Sequence, residues 1–281
     1  MKKILITGAN SYVGGAVKAR LSGAGYSATV LDMLGDGWRA FDFSGYDSVF
    51  HVAGIAHLKE KRRNKDAYFA VNAKLPVEVA QKAKAAGVKQ FIFMSSMSVY
   101  AGYGNANITE KTPFKPKGYY GHSKLKADTE LQAMQSPGFN VAVLRPPMIF
   151  GKDCKGNFTR LKSLAARVPI FPKIKNRRSM LHIDNLAEFV KLVIDNGSSG
   201  VFFPQNPDYF CTSDLVKSLA AASGKKLRLT PLFNWAVWLL YPFMPPLRKL
   251  FGSLTYDPAL SADFQNAYQV KTNAASVEAS V

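Results

Sequence analysis

The sequence predicts an α/β fold, with a doubly wound parallel sheet followed by a smaller, mostly helical lobe. Two observations support this class. Short apolar runs alternate with helical stretches over the first 150 residues, as in parallel strands joined by crossover helices. The first run, KKILITGA, ends in a glycine turn that leads directly into a helical pattern. A chain of 281 residues can bury a substantial core of this kind.

The predicted elements follow the chain in order. After KKILITGA, the segment SYVGGAVKARLSGAG has the apolar spacing of a helix and closes at Gly25. Further helices are predicted from 66 to 86 and through YYGHSKLKADTELQAMQ, and the further strands are SATVLD (27–32), DSVFHVAG (47–54), QFIFMSS (90–96) and NVAVLRP (140–146). Between 32 and the strand-like RAFDF (39–43) there is little room for a crossover helix, so we expect an abbreviated sheet edge.

The alternation loosens after Gly151, which predicts a division into two parts. Residues 1–150 are expected to form the sheet domain, and the helix DNLAEFVKLVIDN within 183–203 is expected to return to it. Residues 151–182 and 204–281 are richer in proline and predict the smaller lobe. Ligands of open α/β sheets bind at the carboxyl ends of the strands, so a lobe placed there would close over a substrate.

Composition narrows the classes of partner. The net charge of +18 is compatible with nucleic acid, an anionic membrane surface or a phosphorylated substrate. The lysines are scattered, and the dense cluster KEKRRNK (59–65) is interpreted as a solvated face rather than a nucleic-acid site. Cys154 and Cys211 lie far apart without a histidine cluster, so no metal site or disulfide is expected. The apolar part of MKKILI is too short for a signal peptide, and we expect a cytoplasmic protein.

The turn TGANSYVGG has part of a dinucleotide-binding fingerprint. Gly8 permits a tight turn, Gly14 permits close packing of helix on strand, and Ser11 stands where the middle glycine would be. Asp32 follows Gly8 by 24 residues, at the end of the second strand, where a carboxylate accepts from ribose hydroxyls and repels a 2′-phosphate. This favours NAD(H), while Arg39 nearby keeps NADP(H) possible. The alternative is a glycine-rich turn without a ligand.

The stretch GYYGHSK (118–124) places a tyrosine one helical turn before a lysine. Tyr120 and Lys124 share a face, whereas Tyr119 lies off it. The strand QFIFMSS ends in Ser95 and Ser96, at the edge of the sheet where such folds carry out chemistry. A phenol with an ordinary pKa of about 10 is a poor base at neutral pH unless a neighbouring charge lowers it. The alternatives are a surface pair and a helix-capping serine.

Several motifs together resemble one family. TGANSYVG, HVAG, SSMSVYAG, YGHSK and LRPPMIFG occur in the order and approximate spacing of the extended short-chain dehydrogenase/reductases that act on nucleotide sugars, the NAD-dependent epimerase/dehydratase family. NRRSMLHIDNLAE (176–188) is similar to that family's segment leading to the substrate diphosphate. The resemblance covers about residues 1–190 and implies a Rossmann-like sheet domain with a C-terminal substrate lobe.

The resemblance also implies roles for individual residues. Tyr120 would exchange a proton with a sugar oxygen, Lys124 would lower the tyrosine pKa and hold the nicotinamide ribose, and Ser96 would hydrogen-bond the same oxygen. The implied cofactor-binding residues are Gly8, Asn10, Ser11, Tyr12, Val13, Gly14, Asp32, Asp42, Phe43, Val52, Ala53, Gly54, Asn72, Tyr120, Lys124, Pro147 and Met148. The implied substrate-binding residues are Ser96, Ser98, Tyr120, Asn157 and Arg178, with Arg178 at the diphosphate. His51 is expected to be structural.

Departures from the family pattern narrow the reaction. Met97 and Ser98 stand where related dehydratases carry an Asp-Glu pair, so dehydration is not expected. NRRSMLHIDN and KLFGSLTYD are similar to reductases of UDP-N-acetyl-4-keto-6-deoxyhexoses in bacterial surface-polysaccharide synthesis, which favours a 4-reductase. A UDP-hexose (UDP-Glc/GlcNAc) 4-epimerase with tightly bound NAD is the alternative. A non-catalytic protein that senses NAD(H) or binds acidic partners is a third hypothesis, from another class.

The partners implied are a UDP-sugar and, at family level, a second copy in a homodimer. The aromatic stretch FNWAVWLLYPFM (233–244) is interpreted first as lobe core or a subunit contact. Its alternative is weak peripheral contact with a membrane, with Arg248 and Lys249 meeting anionic headgroups. It is too short to span a bilayer.

Overall fold

The structure, a computed structural model, describes residues 1–56 and 60–281. The strands are β1 (Lys3–Thr7), β2 (Ser27–Leu31), β3 (Ser48–His51), β4 (Gln90–Met94), β5 (Ala106–Ile108), β6 (Asn140–Leu144), β7 (Met148–Phe150), β8 (Ile170–Pro172), β9 (Met180–His182), β10 (Gly200–Phe202), β11 (Arg228–Thr230) and β12 (Leu254–Tyr256). The α-helices are α1 (Tyr12–Ser22), α2 (Lys65–Phe69), α3 (Leu75–Ala85), α4 (Gly118–Gln132), α5 (Asn157–Arg167), α6 (Ile183–Asp195), α7 (Thr212–Ala222), α8 (Asn234–Leu240), α9 (Pro245–Phe251) and α10 (Asn273–Glu278).

Six strands form the central sheet, in the order β2-β1-β3-β4-β6-β10. All neighbouring pairs in it are parallel. The strand order reverses at β1, between β2 and β3, so the carboxyl ends of β1 and β3 flank the crevice where open sheets bind ligands. The predicted α/β class with a doubly wound parallel sheet is confirmed.

β2 is the edge strand of the sheet, and the abbreviated edge predicted from the short link after residue 32 is confirmed. The prediction of a strand at 39–43 is wrong. Residues 37–39 form a single 3-10 turn, and the described residues between it and β3 include no strand. Trp38 and Phe43 from this link are buried against β3 and α3. Two large aromatic side chains thus cover the sheet face that a crossover helix would otherwise cover.

The helix predicted from 66 to 86 is interrupted by a π-helical turn at Ala70–Lys74. Pro76 follows it within the first turn of α3 and has no N–H to donate to the carbonyl of Asn72. Such insertions often occur at functional sites, since they redirect a side chain. Here the insertion contains the buried side chain of Asn72.

The sheet has a hydrophobic cluster on each face, and the C-terminal elements have one of their own. On one face, α1 and α6 pack against the sheet, with Phe189 and Leu186 fully buried. On the other, α3 and α4 contribute Val79 and Leu131. The third cluster lies among α5, α7 and the segments that follow. The described helices include none long and apolar enough to cross a bilayer.

Candidate active site

The turn between β1 and α1 requires a glycine at its first position. Gly8 has a φ of 124°, and a Cβ added there would lie 2.9 Å from the backbone nitrogen of Ala53. Asn10, two residues on, also has a positive φ of 61°. Only glycine takes such a conformation readily while its backbone passes directly against the exit of β3.

The N-terminus of α1 fits a bound pyrophosphate. Ser11 is the N-cap, and its Oγ accepts a hydrogen bond from Gly14 N at 3.2 Å. A Cβ on Gly14 would lie 3.2 Å from Val52 Cγ1, so the glycine allows α1 to pack closely on the β3 exit. Tyr12 and Val13 start the helix, whose first N–H groups carry a partial positive charge. The serine in the middle-glycine position therefore acts as a helix cap.

Two buried hydroxyl groups from the predicted binding set have no hydrogen-bond partner among the residues that the structure describes. They belong to Tyr12 and Ser98. Burial is the main reason why the pKa of Tyr12 is raised, so this phenol keeps its proton. Because buried polar groups are normally paired, both hydroxyls have capacity to bond a ligand.

Asp32 and Arg39 differ in the number of hydrogen bonds and ion pairs that they make within the protein. Asp32 directly follows β2, is exposed, and accepts one hydrogen bond, from Leu34 N at 3.0 Å. The guanidinium of Arg39 is held by Asp36 at 3.1 Å and by Glu78 at 2.8 Å. This donor set fits ribose hydroxyls better than a 2′-phosphate, since the carboxylate is available and the arginine is paired.

Asp42 and Phe43 lie in the link before β3. Asp42 accepts from the Oγ of Ser44 at 2.7 Å and from its backbone N at 2.8 Å, and these bonds lower the pKa of the carboxyl group. The Phe43 side chain is buried in the core with Trp38. It therefore serves packing, and its placement gives no support to a ligand contact through the ring.

Asn72 positions the loop that follows β3. Its Oδ1 accepts from Ile55 N at 2.8 Å, and its Nδ2 donates to Ile55 O at 2.9 Å. A Cβ on Gly54 would lie 3.0 Å from Asn72 Oδ1, so this contact needs the glycine. Both ends of the amide are thus used by the protein. Asn72 therefore holds Ile55, beside Gly54, and its predicted contact with a cofactor stays a prediction.

Ser96 and Tyr120 are brought together at the carboxyl edge of the sheet. Ser96 follows β4 in an extended conformation, and its Oγ accepts from Ser98 N at 3.1 Å. The same hydroxyl interacts with the Tyr120 phenol from α4. Burial raises the pKa of Tyr120, the Ser96 hydrogen bond acts in the lowering direction, and Tyr68 raises it further. Tyr120 therefore holds its proton at neutral pH.

Lys124 lies deeper than Tyr120, with only 4% of its surface exposed. Its Nζ donates to Met94 O at 2.7 Å and lies 4.7 Å from the centre of the Phe93 ring. Burial lowers its pKa to about 8, against an opposing effect of Asp128. The predicted lowering of the Tyr120 pKa is not what the structure shows, since burial, the largest cause, raises that pKa. The ammonium is directed toward the end of β4 instead.

A buried ion pair lies beneath the site, and sequence reasoning missed it. Arg145 donates to Asp128 from Nε at 2.9 Å and from Nη2 at 2.7 Å. Asp128 also accepts from Gln132 Nε2 at 2.6 Å and from Ser95 Oγ at 2.7 Å. Since Ser95 is engaged below the site, Ser96 is the serine available at the edge of the sheet. Two features of the sequence could have indicated this pair: an acid, Asp128, four residues after Lys124, and an arginine, Arg145, at the end of an apolar strand.

Glu60 caps the helix that carries Tyr120, a second feature the sequence did not indicate. Its carboxylate accepts from Tyr119 N at 3.1 Å and from Tyr120 N at 3.0 Å. Lys117, the residue before the helix, makes no side-chain cap. Gly118, the first residue of α4, has a positive φ of 71°. A side chain there would also collide with the Glu60 carboxylate, so this cap needs the glycine. Lys59, which begins the basic cluster next to Glu60, lies outside the described residues.

Arg178 and Asn157 belong to the C-terminal elements. The Arg178 guanidinium donates to the carbonyl of Lys249 in α9, and burial lowers its pKa. Within the described part of the chain it makes no ion pair. Asn157 is the exposed first residue of α5 and follows Gly156, whose φ is 105°. A partly buried guanidinium without a carboxylate partner is a ready partner for an anion.

The remaining candidates have backbone or core positions. Pro147 is buried and Met148 begins β7, which pairs with β9. His51 is fully buried, its Nδ1 lies 2.7 Å from Thr7 Oγ1, and burial together with the charge of Lys124 lowers its pKa to about 3. His51 is therefore neutral, inside the sheet.

Solved structures share this fold. RMD from Pseudomonas aeruginosa, complexed with NADPH, is 19% identical with a TM-score of 0.78, over 99% of this chain and 98% of that one. UDP-N-acetylglucosamine 4-epimerase from Bacillus cereus is 17% identical with a TM-score of 0.77, over 99% and 97%. At identities this low, these comparisons show that the fold is shared, and they show nothing about function.

Curated relatives are more similar in sequence. UDP-glucose 4-epimerase of Vibrio cholerae is 30% identical over 220 residues, 73% of this chain and 62% of the relative. N-acetyl-alpha-D-glucosaminyl-diphospho-ditrans,octacis-undecaprenol 4-epimerase of Escherichia coli O157:H7 is 30% identical over 162 residues, 56% of this chain and 48% of the relative. The chain thus matches about half to three fifths of their length. The sequence model of the NAD dependent epimerase/dehydratase family matches residues 4–203, more than half of the 281, and the chain belongs to that family.

Proposed function

We propose that this protein is an NAD(P)H-dependent oxidoreductase that acts at C4 of a nucleotide sugar. The observation that carries the proposal is the Ser96–Tyr120 pair at the carboxyl edge of the sheet, with the buried ammonium of Lys124 one helical turn away. A hydroxyl pair of this kind can hold one substrate oxygen and exchange a proton with it.

The direction of reduction fits the state of Tyr120. Reduction of a keto group produces an alkoxide that needs a proton, and a phenol whose pKa is raised by burial is loaded with one. Ser96 would donate a hydrogen bond to the same oxygen, and Lys124, whose Nζ lies at the end of β4, would hold the nicotinamide ribose. An oxidation would instead begin with a deprotonated phenol. Reduction is therefore the preferred direction. The resemblance of NRRSMLHIDN and KLFGSLTYD favours a UDP-4-keto-6-deoxy-N-acetylhexose as the substrate, in the synthesis of a surface-polysaccharide precursor.

The residues for a nicotinamide dinucleotide fit NAD(H) first. The turn from Gly8 to Gly14 would hold the pyrophosphate, and the available carboxylate of Asp32 would hold the ribose hydroxyls. The pairing of Arg39 with two acids leaves its guanidinium less able to bind the 2′-phosphate of NADP(H). When bound, the nicotinamide supplies or accepts the hydride. The chain orients the substrate, excludes water and moves the proton.

Arg178 is the proposed anchor for the UDP diphosphate. Its partly buried guanidinium has a carbonyl partner but no acidic one within the described residues. Asn157 and Ser98 complete the proposed substrate set. We extend the proposal to the division of the chain, with 151–182 and 204–281 as the lobe that supplies Arg178 and Asn157.

A UDP-hexose 4-epimerase with retained NAD is the second candidate. Two curated relatives carry 4-epimerase names, and the proton-transfer residues would be the same for both reactions. The two reactions differ in whether the cofactor is consumed.

Turnover assays with purified protein test the proposal. With UDP-4-keto-6-deoxy-N-acetylhexose and NADH, a reductase oxidises one NADH per product, whereas an epimerase interconverts UDP-Glc(NAc) and UDP-Gal(NAc) without net loss. Tyr120→Phe should keep NADH binding and lose about 10²–10⁴-fold in turnover. Tyr119→Phe is the matched control and should retain it. If neither reaction occurs although NADH binds, the proposal is overturned in favour of an NAD(H) sensor.

A further inference from the structure

A cluster of apolar side chains around α8 faces solvent. Trp235 is 70% exposed, Trp238 51% and Phe243 79%. The residues 232–244 contain eight of the fourteen large hydrophobic residues that are exposed in the described chain. We name the following eight the α8 face: Leu232, Phe233, Trp235, Trp238, Leu239, Leu240, Phe243 and Met244. The interpretation of this stretch as lobe core is wrong for these residues.

The α8 face is presented by an anchored element. Val237 is buried in the C-terminal hydrophobic cluster, against which Tyr241 also packs. Trp235, Trp238 and Leu239 follow the i, i+3, i+4 spacing of one helix side, opposite the anchoring residue. Concentrated exposure of this kind on an ordered helix marks an interaction surface, since single exposed apolar residues are common but clusters are not.

The charged residues that flank the α8 face along the chain have one sign. From Leu215 to Tyr256 the chain contains no aspartate or glutamate. The same stretch contains six basic residues, all exposed: Lys217, Lys225, Lys226, Arg228, Arg248 and Lys249. Asn234 Nδ2 donates to Lys173 O at 2.8 Å, which brings a further exposed lysine beside α8.

We propose that the α8 face docks on an anionic bilayer surface. Tryptophans beside apolar side chains, in a stretch of chain with basic but no acidic residues, suit the boundary between headgroups and acyl chains. A second copy of the chain would bring two such positive surfaces together on molecules of formal charge +18, which is unfavourable at distances within a Debye length of about 8–10 Å. An anionic bilayer gains from the same charge.

Docking of this kind would place the bilayer close to the proposed diphosphate anchor. Lys249 in α9, five residues beyond the α8 face, gives its carbonyl to the Arg178 guanidinium. The docking proposal does not depend on the reaction, because it rests on exposure and charge alone.

Flotation of the full chain with vesicles tests the proposal. We expect co-flotation with phosphatidylcholine vesicles containing about 30% phosphatidylglycerol, loss of binding at 0.5 M salt, and little binding to phosphatidylcholine alone. Brominated acyl chains should quench Trp235 and Trp238, while Trp38, which is buried, stays unquenched. Trp235→Ala/Trp238→Ala should weaken vesicle binding about 10–100-fold, and Arg248→Gln/Lys249→Gln should weaken it on anionic vesicles only.

The controls are Val270→Ser, an exposed apolar residue elsewhere, and Lys18→Gln/Lys89→Gln, which removes two charges elsewhere. Both should bind as the unmodified chain does. Absence of co-flotation at low salt, binding that persists in the double-tryptophan variant, or absence of quenching would each overturn the proposal. So would a dimer in lipid-free sedimentation that dissociates in the double-tryptophan variant, because a second copy would then cover the face.

Discussion

Lys124 makes the stability of the folded chain depend on pH in a way that the structure quantifies. Its pKa is 10.5 in an ordinary environment and about 8 in the fold, because burial disfavours the ammonium. Between these values the unfolded chain keeps the proton and the folded chain releases it. Stability therefore rises with pH from about 8 to 10.5, and below that window the fold bears the full cost of the buried charge.

The magnitude follows from the shift. Two and a half pKa units correspond to about 3 kcal/mol, at 1.36 kcal/mol per unit. Lys124→Met removes the titrating group and keeps an unbranched chain beside Phe93. The variant also loses the hydrogen bond to Met94 O, which changes its stability by a constant amount. The informative quantity is therefore the difference in unfolding free energy between the two proteins, followed across pH.

Urea unfolding of both cofactor-free proteins at pH 7, 8.5 and 10.5 measures this difference. We expect the unmodified chain to gain about 3 kcal/mol relative to Lys124→Met between pH 7 and 10.5. Lys126→Met removes a lysine exposed on the same helix and should follow the unmodified chain at every pH. If the difference for Lys124→Met is constant across the range, the ammonium is not desolvated and the reasoning fails.

Three further predictions concern the surroundings of the site. Asp128→Asn should lower the unfolding free energy by about 3–5 kcal/mol in urea titrations, since it leaves the guanidinium of Arg145 buried and unpaired; a loss below 1 kcal/mol would contradict a desolvated pair. Gly121→Ala puts a Cβ 2.9 Å from Ser98 O, so it should separate α4 from the turn after Ser96 and reduce turnover, whereas Gly15→Ala, with open space around it, should retain activity. Gly8→Ala combines a φ of 124° with a 2.9 Å approach to Ala53 N and should abolish NADH binding measured by fluorescence titration; unchanged affinity would refute the assigned turn.

Local patterns were enough to predict the sheet, whereas the pairing of Ser96 with Tyr120 was implied by the resemblance of the motifs to a family. Strand ends of a parallel sheet share one edge, and the spacing of Tyr120 and Lys124 places both on one helix side. The depth of Lys124 was not predictable, because it depends on how closely α4 packs on β4. The segment 39–43 was misjudged for a related reason: Trp38 and Phe43 gain more by burial against the sheet face than their residues would gain by pairing at its edge.

Contacts between distant segments were beyond the sequence. Glu60 reaches the N-terminus of α4 across about 60 positions, and Arg145 meets Asp128 only after β6 is placed beside β4. The exposure of the side chains at 232–244 could not be predicted either, since a buried core helix and an exposed docking surface can have the same apolar sequence. Only the anchoring of Val237 on the opposite helix side distinguishes the two.

The polar network around Arg145 fixes the relative orientation of α4 and the turn after β4 more tightly than apolar packing would. The guanidinium of Arg145 joins Asp128 of α4 to the hydroxyl of Tyr100, which ends the turn containing Ser98. The carbonyl of Arg145 accepts from the hydroxyl of Tyr256 in β12. Apolar side chains of equal volume could stabilise the fold as well, but a planar fork bound at two points allows one relative orientation. Because α4 carries Tyr120 and the turn follows Ser96, this ion pair ties together the two elements that carry the hydroxyls of the proposed proton transfer.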